Sequence, residues 1–130
     1  MYQIAVCDDE KSDLQHNIRL TERVMAQAGI PCSIAAYESG QSLLSDVQSG
    51  RHFDLLLLDV IMEKLDGMAL AAALKQRPDA PDVVFISTDR DMAMQGYRVE
   101  ARRYLPKPLE PELLREALLH CYGDRRDRKS

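Results

Sequence analysis

Leu55-Leu56-Leu57-Leu58 is an apolar run with no polar alternation, and it stops at Asp59. A strand with one wet face alternates apolar and polar side chains, whereas a strand covered on both faces does not. The run therefore calls for a sheet with layers on both sides. Ile4-Ala5-Val6-Cys7, stopping at Asp8-Asp9, has the same character, and so does Val83 to Ile86.

Helix-spaced segments lie between these runs. Leu14, Ile18, Thr21 and Met25 recur at helical spacing and predict a helix from a Ser12 cap through Ala28, with Gly29 as its stop. Ser33 to Tyr37 reads as a second strand, and Gln41 to Gln48 as a short helix ended by Ser49-Gly50. Val60 to Asp66 is a loop, after which Gly67 opens an Ala- and Leu-rich helix that ends before Pro78. Met92 to Arg98 reads as a short helix and Arg103 to Leu105 as a fifth strand. Pro111 starts a last helix with Leu113, Leu114, Ala117, Leu118 and Cys121 on its apolar face. Such alternation specifies an α/β fold, a (βα)5 doubly wound parallel five-stranded sheet with right-handed crossovers. The 130 residues form one domain over 1–122, and residues 123–130 are expected to be a polar tail or the start of a linker.

Composition narrows the function. Net charge is −4, with no Trp and two Phe, so the domain is not built to hold nucleic acid or to stack bases. Cys7, Cys32 and Cys121 have no metal-ligand spacing and lie in apolar contexts, which suits buried free thiols; a redox sensor is the alternative. His16, His52 and His120 are scattered and suit surface or packing roles. Met1-Tyr2-Gln3-Ile4 has no signal-peptide character, and no apolar stretch approaches the ~20 residues of a membrane span. The expected compartment is the cytoplasm.

In an open parallel sheet, ligands bind along the edge where the strands end. Asp8, Asp9, Asp59 and Lys107 all follow strand-like runs, so the topology brings three acids and one base to that edge. Several phosphate sites are excluded. The chain has no GxxxxGK[ST], and the first β-α turn is Asp8-Asp9-Glu10 rather than glycine-rich. A phosphate can enter this turn only with a cation. A Mg²⁺-dependent phosphohydrolase with a second Asp two positions beyond its nucleophile is disfavoured, because position 61 is Ile. Hard carboxylate oxygens suit Mg²⁺. Two such charges ~4 Å apart repel by ~4 kcal/mol at an effective dielectric of ~20, and Mg²⁺ with Lys107 offsets that repulsion.

Asp8-Asp9, Asp59, Gly67, Ser87 and Lys107-Pro108, in this order and context, resemble the receiver domain of two-component response regulators over Tyr2 to Cys121, a flavodoxin-like fold. The segment from Gly96 through Tyr104 to Pro108 most resembles receivers of the LytTR type (LytR/AgrA-like). The resemblance implies that Asp59 is the phosphoacceptor and that Asp8, Asp9 and Asp59 hold Mg²⁺ with the backbone carbonyl of Ile61. It further implies that Lys107 contacts the phosphoryl group, that the Lys107–Pro108 bond is cis, and that Ser87 and Tyr104 form the switch. The implied partners are a sensor histidine kinase and a second copy, met through the Met92–Arg98 helix, the fifth strand and the last helix. DNA is implied only through an output domain absent from this chain, and no membrane is implied. The chain is then a signalling phosphoacceptor rather than an enzyme, acting catalytically only on its own phosphorylation.

Two positions depart from the family pattern. Glu63 stands where a Pro is usual, and Thr88 stands where a small residue is usual. Both bear on access to the pocket, and Thr88 is an alternative sensing hydroxyl. Glu10 either caps the first helix or takes a water of the metal. A receiver-like module that works by protein contact without phosphorylation is the alternative function.

Overall fold

A computed structural model describes residues 1–62, 65–88 and 102–129. Five strands form one sheet: β1 (Tyr2–Cys7), β2 (Cys32–Tyr37), β3 (Leu55–Asp59), β4 (Asp82–Ser87) and β5 (Arg103–Pro106). Their order is β2-β1-β3-β4-β5, and every neighbouring pair is parallel. The described helices are α1 (Lys11–Gln27), α2 (Gly40–Gln48), α3 (Gly67–Lys75) and α4 (Pro111–Lys129). This is the expected doubly wound α/β fold.

The run of four leucines is divided between the two layers. Leu55 and Leu57 pack with Leu14, Leu20 and Val24 of α1 and with Leu114 and Leu118 of α4. Leu56 and Leu58 pack with Leu43 of α2 and with Leu70 and Leu74 of α3. Successive side chains of a strand point to opposite faces, so a central strand must be apolar at every position. The order also changes direction between β1 and β3, which opens a crevice at their C-terminal ends. Cys7 pairs with Leu58 in that register, which sets Asp8 beside Asp59.

Local chemistry corrects two boundaries. Ser12 does not cap α1; Glu10 holds the N-cap position, and its side chain makes no capping hydrogen bond. The chain turns earlier because Asp8 Oδ1 accepts from the Glu10 amide at 2.9 Å. Gly29 ends the helix as expected: its φ is +72°, and the next amide, Ile30, donates to Met25 O at 3.0 Å.

The larger correction concerns residues 123–129. They continue α4 instead of forming a polar tail, which leaves the start of a linker as the other expected role. Arg125 donates to the Ala80 carbonyl at 3.0 Å and lies 3.5 Å from Asp82. Arg102 is bonded to Asp124, and Tyr122 meets Tyr2 edge-on at 5.1 Å. Polar composition misled here, because buried carboxylates at the strand starts supply partners that a solvated tail would lack. The short helix expected over Met92 to Arg98 lies outside the described residues, as does Glu63.

Candidate functional site

β1 delivers Asp8 and Asp9, β3 delivers Asp59, and the turn after β5 delivers Lys107. Asp8 is 0% exposed and Asp59 is 7% exposed, while Asp9 faces solvent. Each of the three acids offers an oxygen within 4.8 Å of the others. The Lys107 ammonium donates to Asp8 Oδ2 at 2.9 Å and to Asp59 Oδ2 at 3.2 Å. The cis Lys107–Pro108 bond is present, as the resemblance implied. The Lys107 amide donates to the Ser87 carbonyl at 3.2 Å, so the end of β4 and the lysine are tied together.

The free oxygens of these acids are also held. Asp59 Oδ1 accepts from the Ile61 amide at 3.3 Å. Gly67 underlies this arrangement: a Cβ there would sit 2.3 Å from the Asp59 carbonyl oxygen. Its amide donates to Val60 O at 3.0 Å, which closes the β3–α3 loop onto the strand end. Asp66 caps α3 by accepting from Ala69 N at 2.8 Å.

Burial first, then the Asp8 charge, pushes the Asp59 carboxyl up to about 6, against the pull of Lys107. Burial opposes the charge on Lys107. Hydrogen bonds to Asp8 and Asp13, with the nearby negative charges, outweigh that cost and raise its pKa. Lys107 is therefore a firm cation, and Asp59 is a carboxylate that titrates within reach of neutral pH. A strongly perturbed carboxyl in a cleft at a sheet edge marks a candidate functional site. Three hard-oxygen donors around one crevice fit Mg²⁺, which is held by few protein ligands and keeps several waters.

Sequence reasoning missed Asp13. Its Oδ2 accepts from Lys107 at 3.0 Å, so the ammonium has three carboxylate partners. The available signal was its position in the first turn of α1, the helix that starts at the mouth of the site. Ser87 is half-buried at this edge and Thr88 beyond it is exposed. Tyr104 sits on β5 with its ring stacked on Phe85, centroids 5.3 Å apart. The Glu10 side chain bonds Ser12 rather than capping the helix backbone.

The thiols read as packing groups. Burial, then the charges of the acidic site, pushes Cys7 up to about 12, and burial pushes Cys121 up to about 11. A redox sensor needs a lowered pKa. Cys32 is only half-buried, short of the full burial expected from its neighbours. His16, His52 and His120 are exposed or nearly so, as expected. Among the described residues, no helix is long and apolar enough to cross a membrane.

Comparison with known proteins agrees with this geometry. The family profile of the response regulator receiver domain matches residues 4–119. The positive alginate biosynthesis regulatory protein of Pseudomonas aeruginosa is 30% identical over 115 residues, covering 88% of this chain and 45% of that protein. The DNA-binding transcriptional regulator NtrC of Salmonella typhimurium is 37% identical over 108 residues, covering 81% of this chain and 21% of that protein. The chain thus spans less than half the length of these relatives. A solved receiver domain from Clostridium thermocellum has the same fold, with a TM-score of 0.82 over 97% of this chain and 98% of its own, at 23% identity.

Proposed function

The chain belongs to the response regulator receiver family, and we propose that it is a phosphoryl-controlled switch whose acceptor is Asp59. One observation carries this reading: the Lys107 ammonium bonds Asp8 and Asp59 at once, beside the carboxylate triad. An Asp59 oxygen attacks the phosphorus of a sensor kinase phosphohistidine or of a small acyl phosphate. The new O–P bond forms as the bond to the leaving group breaks, and the leaving group departs with the electron pair. Asp59 is mostly ionised at neutral pH with its carboxyl near 6, as a nucleophile requires. Asp8, Asp9 and Asp59, with the Ile61 carbonyl, would hold Mg²⁺. Bound there, the ion supplies positive charge to the phosphoryl oxygens.

Lys107 donates to the phosphoryl group, and Ser87 donates its hydroxyl hydrogen to a phosphoryl oxygen. Tyr104 then repacks as the end of β4 moves, since a new charge biases an element with two packings of similar energy. The output is a changed face on β5 and α4 that alters pairing with a second copy or with an output domain. Control of transcription through a DNA-binding domain outside these residues is part of this proposal. The longer relatives support it, and the Gly96–Pro108 segment supports its LytTR-type form. The protein works in the cytoplasm and catalyses only its own phosphorylation and dephosphorylation.

Acetyl phosphate with Mg²⁺ should add a phosphoryl group to the wild type and not to Asp59→Asn, read by intact mass. Equal modification of both chains sinks the assignment. A wild type that takes up no Mg²⁺ in a calorimetric titration turns the reading to a module that works by protein contact alone.

A further inference from the structure

We infer that Asp13 is a positioning residue: it holds the Lys107 ammonium at the mouth of the site and competes with the phosphoryl group for it. This rests on the reading of Asp59 as phosphoacceptor and adds a residue that sets how readily that state forms.

An ammonium has three donors. All three are engaged, by Asp8 at 2.9 Å, Asp13 at 3.0 Å and Asp59 at 3.2 Å. Each phosphoryl oxygen that Lys107 binds must therefore displace a carboxylate. The three are not equally easy to displace. Asp8 is fully buried and its other oxygen is fixed by the Glu10 amide. Asp59 is nearly buried and its other oxygen is fixed by the Ile61 amide. Asp13 has a 45% exposed side chain and lies outside the metal-capable triad.

Water can replace Lys107 at Asp13 at little cost, and the α1 N-terminus favours its negative charge in either state. Asp13 is thus the partner that lets go. While it holds on, it withholds one donor from the phosphoryl oxygens and adds a negative charge beside them. An exposed ion pair is weak, so its removal should strengthen capture of a phosphoryl analogue by about fivefold.

The test uses the full chain, with beryllofluoride titrated at saturating Mg²⁺ and read by amide shifts in ¹H–¹⁵N spectra. Asp13→Ala and Asp13→Asn should both bind about fivefold more tightly than wild type, and Asp13→Glu should return to the wild-type value. Glu38→Gln serves as the charge control, since it removes an exposed carboxylate just beyond the end of β2 that pairs with Lys11 rather than Lys107. It should shift affinity by less than about twofold, because exposed charges are screened by salt. A gain in Glu38→Gln equal to that of Asp13→Ala makes the effect a general field and overturns the inference. So does Asp13→Ala binding no more tightly than wild type, which leaves the Asp59 reading standing. A wild type that captures no beryllofluoride overturns the Asp59 reading and this inference with it.

Discussion

At the N-terminal edge of the sheet, Asp54 and Asp82 are buried at 3% and 8% exposure beside arginines; at the C-terminal edge, Asp8 and Asp59 are buried just as deeply beside Lys107. The acids match, but their partners do not. Arg125 reaches Asp82 at 3.5 Å and Asp54 at 3.9 Å, and Arg102 reaches Asp82 at 3.9 Å. Asp54 also accepts from the Gln3 amide at 2.8 Å, and His52 lies 3.2 Å from it. At the other edge, among the described residues, a single ammonium serves Asp8, Asp13 and Asp59, with Asp9 close by.

Guanidinium is a planar fork that locks carboxylates in place, whereas ammonium is a point charge on a flexible stem. The first edge is neutralised and fastens α4 to the sheet. Among the described residues, Lys107 is the only cation paired with the acids of the second, which is the setting that the proposed Mg²⁺ and phosphoryl group need. Position in the sheet does not separate the acids of the two edges; among the described residues, the number and type of their cations does.

Three measurements would break or sharpen this contrast. The largest effect is expected from Arg125→Met, which removes one cation from beside two buried carboxylates. Unfolding by denaturant should show a loss of about 3 kcal/mol, the usual scale for removing one partner of a buried pair. Millimolar Mg²⁺ should not restore it. Recovery with Mg²⁺ would mean that the N-terminal edge is a cation site as well.

Next comes a comparison of opposite signs. In metal-free buffer at pH 7, Asp59→Asn should stabilise the fold by about 2 kcal/mol, since it removes a carboxylate held at raised pKa. Asp54→Asn should destabilise it by about 2 kcal/mol, by weakening charge-assisted bonds at a buried site. Equal signs for the two substitutions would erase the distinction between the edges.

The smallest effect is in the pH dependence. Asp59 has a folded pKa of about 6, above its unfolded value, so the native state binds more protons between about pH 4 and 6. Its contribution to stability therefore falls as pH rises through that window. The advantage of Asp59→Asn should shrink to about 0.5 kcal/mol at pH 4. Thermal melts in metal-free buffer check this, and an advantage that stays constant from pH 4 to 7 would place its origin outside Asp59 ionisation.

The edge of the candidate site was more legible than the edge that holds the arginines. Asp8, Asp9 and Asp59 each end an apolar run, and a parallel sheet sends all such ends to one edge. Gly67 and Lys107-Pro108 stood in family order, and the structure gives Gly67 its reason in the Asp59 carbonyl. Asp13 carried no such mark. It lies 94 positions from Lys107 and matters only because α1 begins where the turn after β5 ends. Residues 123–129 misled for a related reason. Their charges look like a solvated tail until Asp54 and Asp82, far back in the chain, are seen to be buried beneath them.

By itself the sequence determined the layer architecture, the edge where the candidate site lies and the residue types gathered there. Those follow from local patterns, because apolar runs, turn residues and strand ends are written over a few neighbouring positions. Only the tertiary structure decided which acids share the ammonium, which are paired with arginine, and that α4 runs on past Gly123. Those outcomes depend on distances of a few ångströms between residues remote in the chain, and on burial, which sets how strongly each charge is felt.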